Sequence, residues 1–193
     1  ISHYEQVLRT ADGVFQMEHA EVLLRLYEKE KAHDKSAALL QRMAAETDGA
    51  ASLTLLERAA VLLQDRAKDT EAAIEVYRHI LATQPAHEKA ERALRDLFVA
   101  REDVEALTAL YATTEGRQDA MVESLLMVAD RMENADARKE VLGRAIALLS
   151  KDDATGDRLI KVPEMMLLSD PNATASARFL ADVYEQQGNW SRW

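Results

Sequence analysis

Apolar residues recur along this chain at the three- and four-residue spacing of an α-helix, and short polar or Gly/Pro-containing stretches interrupt them. Helices of about 15 residues with short connections are typical of antiparallel neighbours. The pattern predicts helices at 3–11, 18–31, 35–46, 52–66, 70–83, 87–101, 103–114, 118–133, 136–150, 155–168 and 173–187, with another beginning at Trp190. We therefore expect an all-α protein of about 11 to 12 helices.

Composition supports helices over strands. Aromatic residues make up 5% of the chain, with only 3 Pro and 6 Gly, while Ala, Leu, Glu and Arg are abundant. Several of the abundant residues lose little conformational entropy in a helix. The two Asp-Gly pairs, Asp12-Gly13 and Asp48-Gly49, lie between helical patterns, whereas a β-hairpin turn would lie between alternating runs.

The chain repeats itself at an offset of 86 positions without a gap. Most of the matched positions are apolar and helically spaced, as expected if they face a shared core. The matches are Leu56 with Leu142, Arg58 with Arg144, Ala59 with Ala145, Leu62 with Leu148, Leu63 with Leu149, Ile74 with Ile160, Val76 with Val162, Leu81 with Leu167, Pro85 with Pro171, Arg92 with Arg178, Leu94 with Leu180, Asp96 with Asp182, Leu97 with Val183 and Phe98 with Tyr184.

A shorter period of 34 residues lies inside the longer one and separates Tyr77 from Tyr111. Its large apolar, small and proline positions are occupied by Ala73, Tyr77 and Pro85 in residues 54–87, by Leu94, Phe98 and Tyr111 in residues 88–121, by Ile146 and Pro171 in residues 140–173, and by Leu180 and Tyr184 from residue 174 onward. This spacing resembles the tetratricopeptide repeat, a 34-residue helix–turn–helix unit.

The chain departs from that family pattern at several positions. Glu57 and Glu91 stand where the family has Trp, and the family's Gly is missing from the first helix. Pro163 stands where an aromatic is expected, so its helix is predicted to be kinked or to begin late. Additional helices are expected near 35–46 and 118–133.

The resemblance implies a right-handed α-solenoid of antiparallel helix hairpins, because one hairpin cannot bury its apolar face alone and stacking hides it. We expect residues 1–193 to form a single tetratricopeptide-like domain with a concave and a convex side. Trp190 and Trp193 would leave an apolar terminal face, so we interpret the chain as a fragment of a longer protein.

Charge and cysteine content restrict the partners. The net charge of −10 is spread along the chain, which argues against binding to nucleic acid or to an anionic membrane surface. No apolar run approaches the roughly 20 residues that span a bilayer, so membrane insertion is not expected. The absence of Cys excludes thiol chemistry and suits a reducing compartment, which favours a cytoplasmic location.

No catalytic, cofactor or metal site is expected. The 5 His form no H-E-x-x-H arrangement, and the 6 Gly are isolated, so neither a zinc site nor a phosphate-binding loop is present in the sequence. Acidic pairs such as Glu102-Asp103 are interpreted as helix-start residues. We therefore predict a non-enzymatic protein.

Four arginines, Arg58, Arg92, Arg144 and Arg178, share position 5 of the first helix in their repeats. The resemblance implies that this position faces the concave groove, where a planar guanidinium can bind carboxylates in a bidentate manner. These arginines are the candidate partner-binding residues.

A structural role for the same arginines is the alternative. Arg92 and Arg178 have Asp96 and Asp182 four residues on, in position for weak intrahelical ion pairs. Arg58 and Arg144 have leucines there and are expected to be freer.

The predicted function is an interaction scaffold that binds a peptide or helix of a protein partner on the concave face. The alternative is a structural spacer or self-assembly arm of a larger multidomain protein.

Overall fold

The structure, a computed structural model, describes residues 16–112, 117–149 and 158–186. Within these ranges the chain forms ten α-helices and one π-helical turn, and no strand. The helices are α1 (Met17–Lys29), α2 (His33–Ala45), α3 (Gly49–Leu62), α4 (Thr70–Thr83), α5 (Glu88–Ala100), α6 (Val104–Ala112), α7 (Gln118–Arg131), α8 (Ala135–Leu149), α9 (Arg158–Ser169) and α10 (Thr174–Gln186).

The all-α prediction is confirmed for the described residues. Each of the ten helices corresponds to one predicted from apolar spacing, and α4 begins and ends at the predicted residues. The predicted helix at 3–11 and the one beginning at Trp190 lie outside the described ranges. The agreement follows from the amphipathic pattern, because a helix with one apolar stripe is stabilised when that stripe packs against neighbouring helices and leaves water.

The chain divides into two compact units, Ile1–Leu97 and Phe98–Trp193. In the first unit α2 packs on α1 and α3, and α3 packs on α4. In the second unit α7 packs on α6 and α8, and α9 packs on α8 and α10. In both units, therefore, these packed pairs are helices that follow one another directly in sequence.

The 86-residue repeat reappears in the positions of the helices. Helices α3 and α5 begin at residues 49 and 88, and α8 and α10 begin 86 residues later, at 135 and 174. Helices α2 and α4 end at residues 45 and 83, and α7 and α9 end at 131 and 169, again 86 residues later. The ten helices therefore form two consecutive sets of five, α1–α5 and α6–α10.

Burial follows the same correspondence. The equivalent pairs Leu56 and Leu142, Ala59 and Ala145, Leu63 and Leu149, Val76 and Val162, and Phe98 and Tyr184 are all buried. The first helix of each set also buries a tyrosine, Tyr27 in α1 and Tyr111 in α6, although these two lie outside the 86-residue register. Each buried large apolar side chain contributes about 1.5–3 kcal/mol relative to exposure, so these shared positions stabilise both sets of helices.

A π-helical turn over Leu63–Ala67 prolongs α3. The backbone leaves it through Lys68, whose φ of 61° is in the left-handed region. The Asp69 side chain then accepts a hydrogen bond from the backbone N–H of Ala72 at 3.0 Å, which caps the start of α4. A left-handed residue followed by a capping carboxylate thus makes the connection between α3 and α4 short.

Pro163 lies inside α9, five residues after its described start, and it is buried. Its ring nitrogen has no hydrogen to donate to the carbonyl of Leu159, so the helical ladder is interrupted there. The sequence predicts a kink or a late start at this helix. Residues 150–157, which precede it, lie outside the described ranges.

Candidate functional site

A groove of about 450 Å³ runs along one face of α3 and its π-helical turn. Its lining residues recur every three or four positions, which places them on one stripe of the helix. Among the residues that the structure describes, they are Thr54, Glu57, Arg58, Val61, Leu62, Asp65 and Arg66. The opposite face of α3 carries the buried residues Leu56, Ala59 and Ala60, so the groove is the solvent-facing side of a helix whose other side belongs to the core.

The middle of the groove is apolar and open. Val61 exposes 49% of its surface, and Leu62 beside it is half-buried. A single exposed apolar side chain is ordinary on a protein surface. Val61, however, lies between charged residues of the same stripe, with Glu57 and Arg58 on one side and Asp65 and Arg66 on the other.

Arg58 lies on the rim of the groove and pairs with Glu28 of α1 through Nη2. The side chains remain 51% and 40% exposed, so water reaches both partners. Ion pairs of this exposure contribute about 0–1 kcal/mol to stability.

Glu57 is held by two side chains from the start of α5. His87 donates from Nε2 to the Glu57 Oε1 oxygen at 2.7 Å, and the Lys89 ammonium lies 3.3 Å from Oε2. The other ring nitrogen of His87, Nδ1, accepts a hydrogen bond from the backbone N–H of Ala90 at 3.2 Å. His87 therefore caps α5 and ties it to α3 in its Nε2-protonated neutral form.

The far end of the groove is formed by the π-helical turn. Asp65 and Arg66 lie there and are exposed. The hydroxyl of buried Tyr77 donates to Gln64 Oε1 of the same turn at 3.1 Å. Burial raises the pKa of Tyr77 above its ordinary value of 10.0, and the nearby carboxylates of Asp65 and Glu57 raise it further. Asp65 and Arg66 are thus presented by a turn that the core supports.

Arg144, the equivalent of Arg58 in the second unit, pairs with two carboxylates, whereas Arg58 pairs with one. Its Nη1 donates to Glu105 Oε1 at 2.7 Å, and its Nη2 donates to Glu140 Oε1 at 2.9 Å. These two hydrogen bonds raise the pKa of the Arg144 guanidinium. The guanidinium joins α8 to α6 and is not free.

The expectation that Arg58 and Arg144 are freer than the other two arginines is wrong. Both pair with a carboxylate from another helix, which the residues four positions on cannot reveal. The intrahelical pairs expected for Arg92 and Arg178 are also absent from the described part of the chain. Asp96 instead accepts from its neighbour Arg95, at 3.0 Å and 2.8 Å, and both Arg92 and Arg178 are exposed.

The structure places Arg58 and Arg92 in the first unit and Arg144 and Arg178 in the second. Of the four, only Arg58 lines the α3 groove. Sequence reasoning missed Val61, Arg66 and Glu28. The regular spacing of the lining residues marks Val61 and Arg66 as neighbours of Arg58 on the helix, but no local signal links Glu28 to Arg58, thirty positions apart in the chain.

Among the described side chains, no group of three or more His, Asp or Glu residues is arranged to hold a metal ion. None of the described helices combines the length and apolar character needed to cross a bilayer.

No protein-family model matches the sequence, and no curated protein is significantly similar to it.

Proposed function

We propose that this protein is a non-enzymatic interaction scaffold of the tetratricopeptide-like, right-handed α-solenoid type, and that it binds a peptide or helix of a protein partner in the α3 groove. In this proposal the α3 groove serves as the binding site that the sequence analysis expected on the concave face. The observation that carries it is the exposed Val61 in a groove rimmed by Arg58 and Arg66.

The composition of the groove suits a segment of a partner better than a small molecule. Its stripe runs from Thr54 to Arg66, twelve residues along, or about 18 Å at the rise of an α-helix. An amphipathic partner segment can cover Val61 and Leu62 with apolar side chains and meet the rim with polar ones. Such contacts add shape and charge complementarity without any catalytic group.

Photocrosslinking tests this placement directly. A photoreactive amino acid at Val61 should capture a partner from a lysate of the source cells, whereas the same residue at exposed Glu75 on α4 should not. The captured protein is then purified, and its affinity for the variants is measured. Equal capture from both positions would contradict the proposal.

Charge reversal provides the quantitative test. Arg58→Glu should weaken the captured partner's affinity by about tenfold or more, because it places a carboxylate on the groove rim. Arg78→Glu is the control, because Arg78 is 54% exposed and also pairs with a carboxylate, that of Glu75, but lies on α4. Both variants should melt within a few degrees of the wild type. Unchanged affinity in Arg58→Glu would contradict the proposal.

A structural spacer or self-assembly arm is the second candidate, and one observation favours it. Arg58 and Arg144 both join two helices through ion pairs, which is the behaviour of residues that maintain an arrangement of helices. If the protein is such a spacer, Arg58→Glu and Arg144→Glu should each lower the melting temperature. Sedimentation should then show association that rises with protein concentration. A monomer at high concentration with an unaltered melting temperature would exclude it.

A further inference from the structure

Equivalent arginines in the two units are held in different ways. Arg58 meets Glu28 through one nitrogen, Nη2, at the edge of a groove. Arg144 uses both terminal nitrogens, on Glu105 and on Glu140. Glu140 is the repeat equivalent of Thr54, a groove residue, so the first unit has no carboxylate at the position that completes the clamp in the second.

We propose that Glu28 is a displaceable latch on the α3 groove, and that the partner segment carries a carboxylate side chain that replaces it on Arg58. This inference rests on the proposed function and specifies how that site is regulated. In the observed state the latch is closed, since the rim guanidinium is already occupied by an internal carboxylate.

The Glu28 carboxylate that occupies Arg58 in the structure indicates which chemical group a partner must bring to replace it. Glu28 is a carboxylate side chain carried on a helix, and it reaches Arg58 from beside the groove. A partner that competes with it must bring the same group, an Asp or Glu side chain, next to apolar side chains that cover Val61 and Leu62. An amphipathic acidic helix meets both requirements.

The ion pair between Arg58 and Glu28 is weak enough for a partner's carboxylate to replace Glu28. Glu28 and Arg58 are both substantially exposed, so water already competes for their charges and the pair is weak. Replacing it exchanges one carboxylate for another with little net loss of hydrogen bonding. At Arg144 the same exchange would have to break two contacts, and we therefore assign Arg144 to holding helices together.

The test uses a random-peptide display library with blocked carboxyl termini, selected on the intact wild-type chain. Peptides whose binding is lost in Arg58→Ala are retained, and their affinities are measured for Glu28→Gln. The expected result is a two- to fivefold gain in affinity, since the internal competitor is gone and an exposed pair of this kind accounts for about that factor. The retained peptides should be enriched in Asp and Glu beside apolar residues.

Two controls separate the latch from general charge effects. Glu21→Gln removes the same charge from α1 at an exposed position two turns away and should leave affinity unchanged. Glu105→Gln in the second unit should also leave it unchanged, because Glu140 still holds Arg144. Matching gains in Glu21→Gln and Glu28→Gln would overturn the latch.

The remaining outcomes are distinguishable. If Arg58-dependent peptides are found but Glu28→Gln binds them no more tightly, the latch is wrong while the groove stands. If no selected peptide depends on Arg58, the proposed function fails and the latch fails with it. Melting curves establish that Glu28→Gln is folded, so a loss of affinity in a folded variant also counts against the latch.

Discussion

At the scale of single residues, Tyr77 connects the buried core of the first unit to the turn that carries Asp65 and Arg66. Its ring is buried, and its hydroxyl donates to Gln64 within the π-helical turn. A π-helical turn is rare and is often found at functional positions. A buried phenol that holds the turn from below gives it an anchor that the backbone alone does not supply.

We predict that Tyr77→Phe lowers the free energy of unfolding at neutral pH by about 1 kcal/mol, the typical net contribution of one hydrogen bond. It should also increase amide hydrogen exchange over 63–68. Arg78→Ala, which alters the next residue on the exposed side of α4, is the control and should leave exchange in this turn unchanged.

The raised pKa of Tyr77 gives a separate prediction for alkaline pH. Below its ordinary value of 10.0 the phenol is protonated in both folded and unfolded chains, so its contribution is constant. Above that value the unfolded chain loses the proton first, and stability falls by up to about 1.4 kcal/mol per pH unit until the folded pKa is passed. Denaturant unfolding at several pH values should show this fall, and Tyr77→Phe should make it shallower. Identical slopes in both proteins would show that Tyr77 does not contribute.

At the scale of elements, small residues set how closely helices approach. Ala59 in α3 and Ala145 in α8 are fully buried and occupy equivalent places in the two sets of five helices. Protein interiors are close-packed, so a side chain that replaces a methyl group at such a contact has no space to enter. Each alanine lies on a helix that packs on two neighbours, α3 on α2 and α4, and α8 on α7 and α9, so a larger side chain there is expected to disturb that packing.

Ala59→Leu and Ala145→Leu should each lower the free energy of unfolding by about 1–3 kcal/mol, the usual cost of overpacking. Ala51→Leu, on an exposed position of α3, is the control and should change stability by less than about 0.5 kcal/mol. Denaturant unfolding monitored by circular dichroism provides the measurement. A large effect at Ala59 with none at Ala145 would argue against the structural equivalence of the two sets.

At the scale of the whole molecule, two sets of five helices follow one another in the same order. Within each unit the packed helices described above are sequence neighbours, so the stabilising contacts are largely local in the chain. Proteins with this distribution of contacts gain stability unit by unit, and damage in one place can remain there. Each unit is therefore expected to respond first to its own core substitutions.

Leu40→Ala in α2 and Leu125→Ala in α7 test this locality, because both leucines are fully buried and each lies in the second helix of its set. Each should cost about 2–5 kcal/mol, the range for truncating a core leucine. Hydrogen exchange should rise mainly over 17–83 in the first variant and mainly over 118–169 in the second. A uniform rise over both ranges in either variant would show that the two units unfold as one.

The sequence by itself determined the helical class, the approximate bounds of the ten described helices and the 86-residue repeat. Apolar spacing, capping residues and repeated core positions act over a few residues or at a fixed offset, so they can be read along the chain. The candidate site could be read only in part. Position 5 of the repeat identified Arg58, and the spacing along α3 contains Val61 and Arg66, but neither pattern indicates that a groove forms there.

Tertiary structure decided which charges meet. Whether Arg58 is free depends on Glu28, and whether Arg144 is free depends on Glu105, each in a different helix. The same packing gave His87 a carboxylate partner, Glu57 of α3. Side-chain pairing between helices depends on distances that close only when the helices pack, and a periodic pattern along one helix carries no information about them.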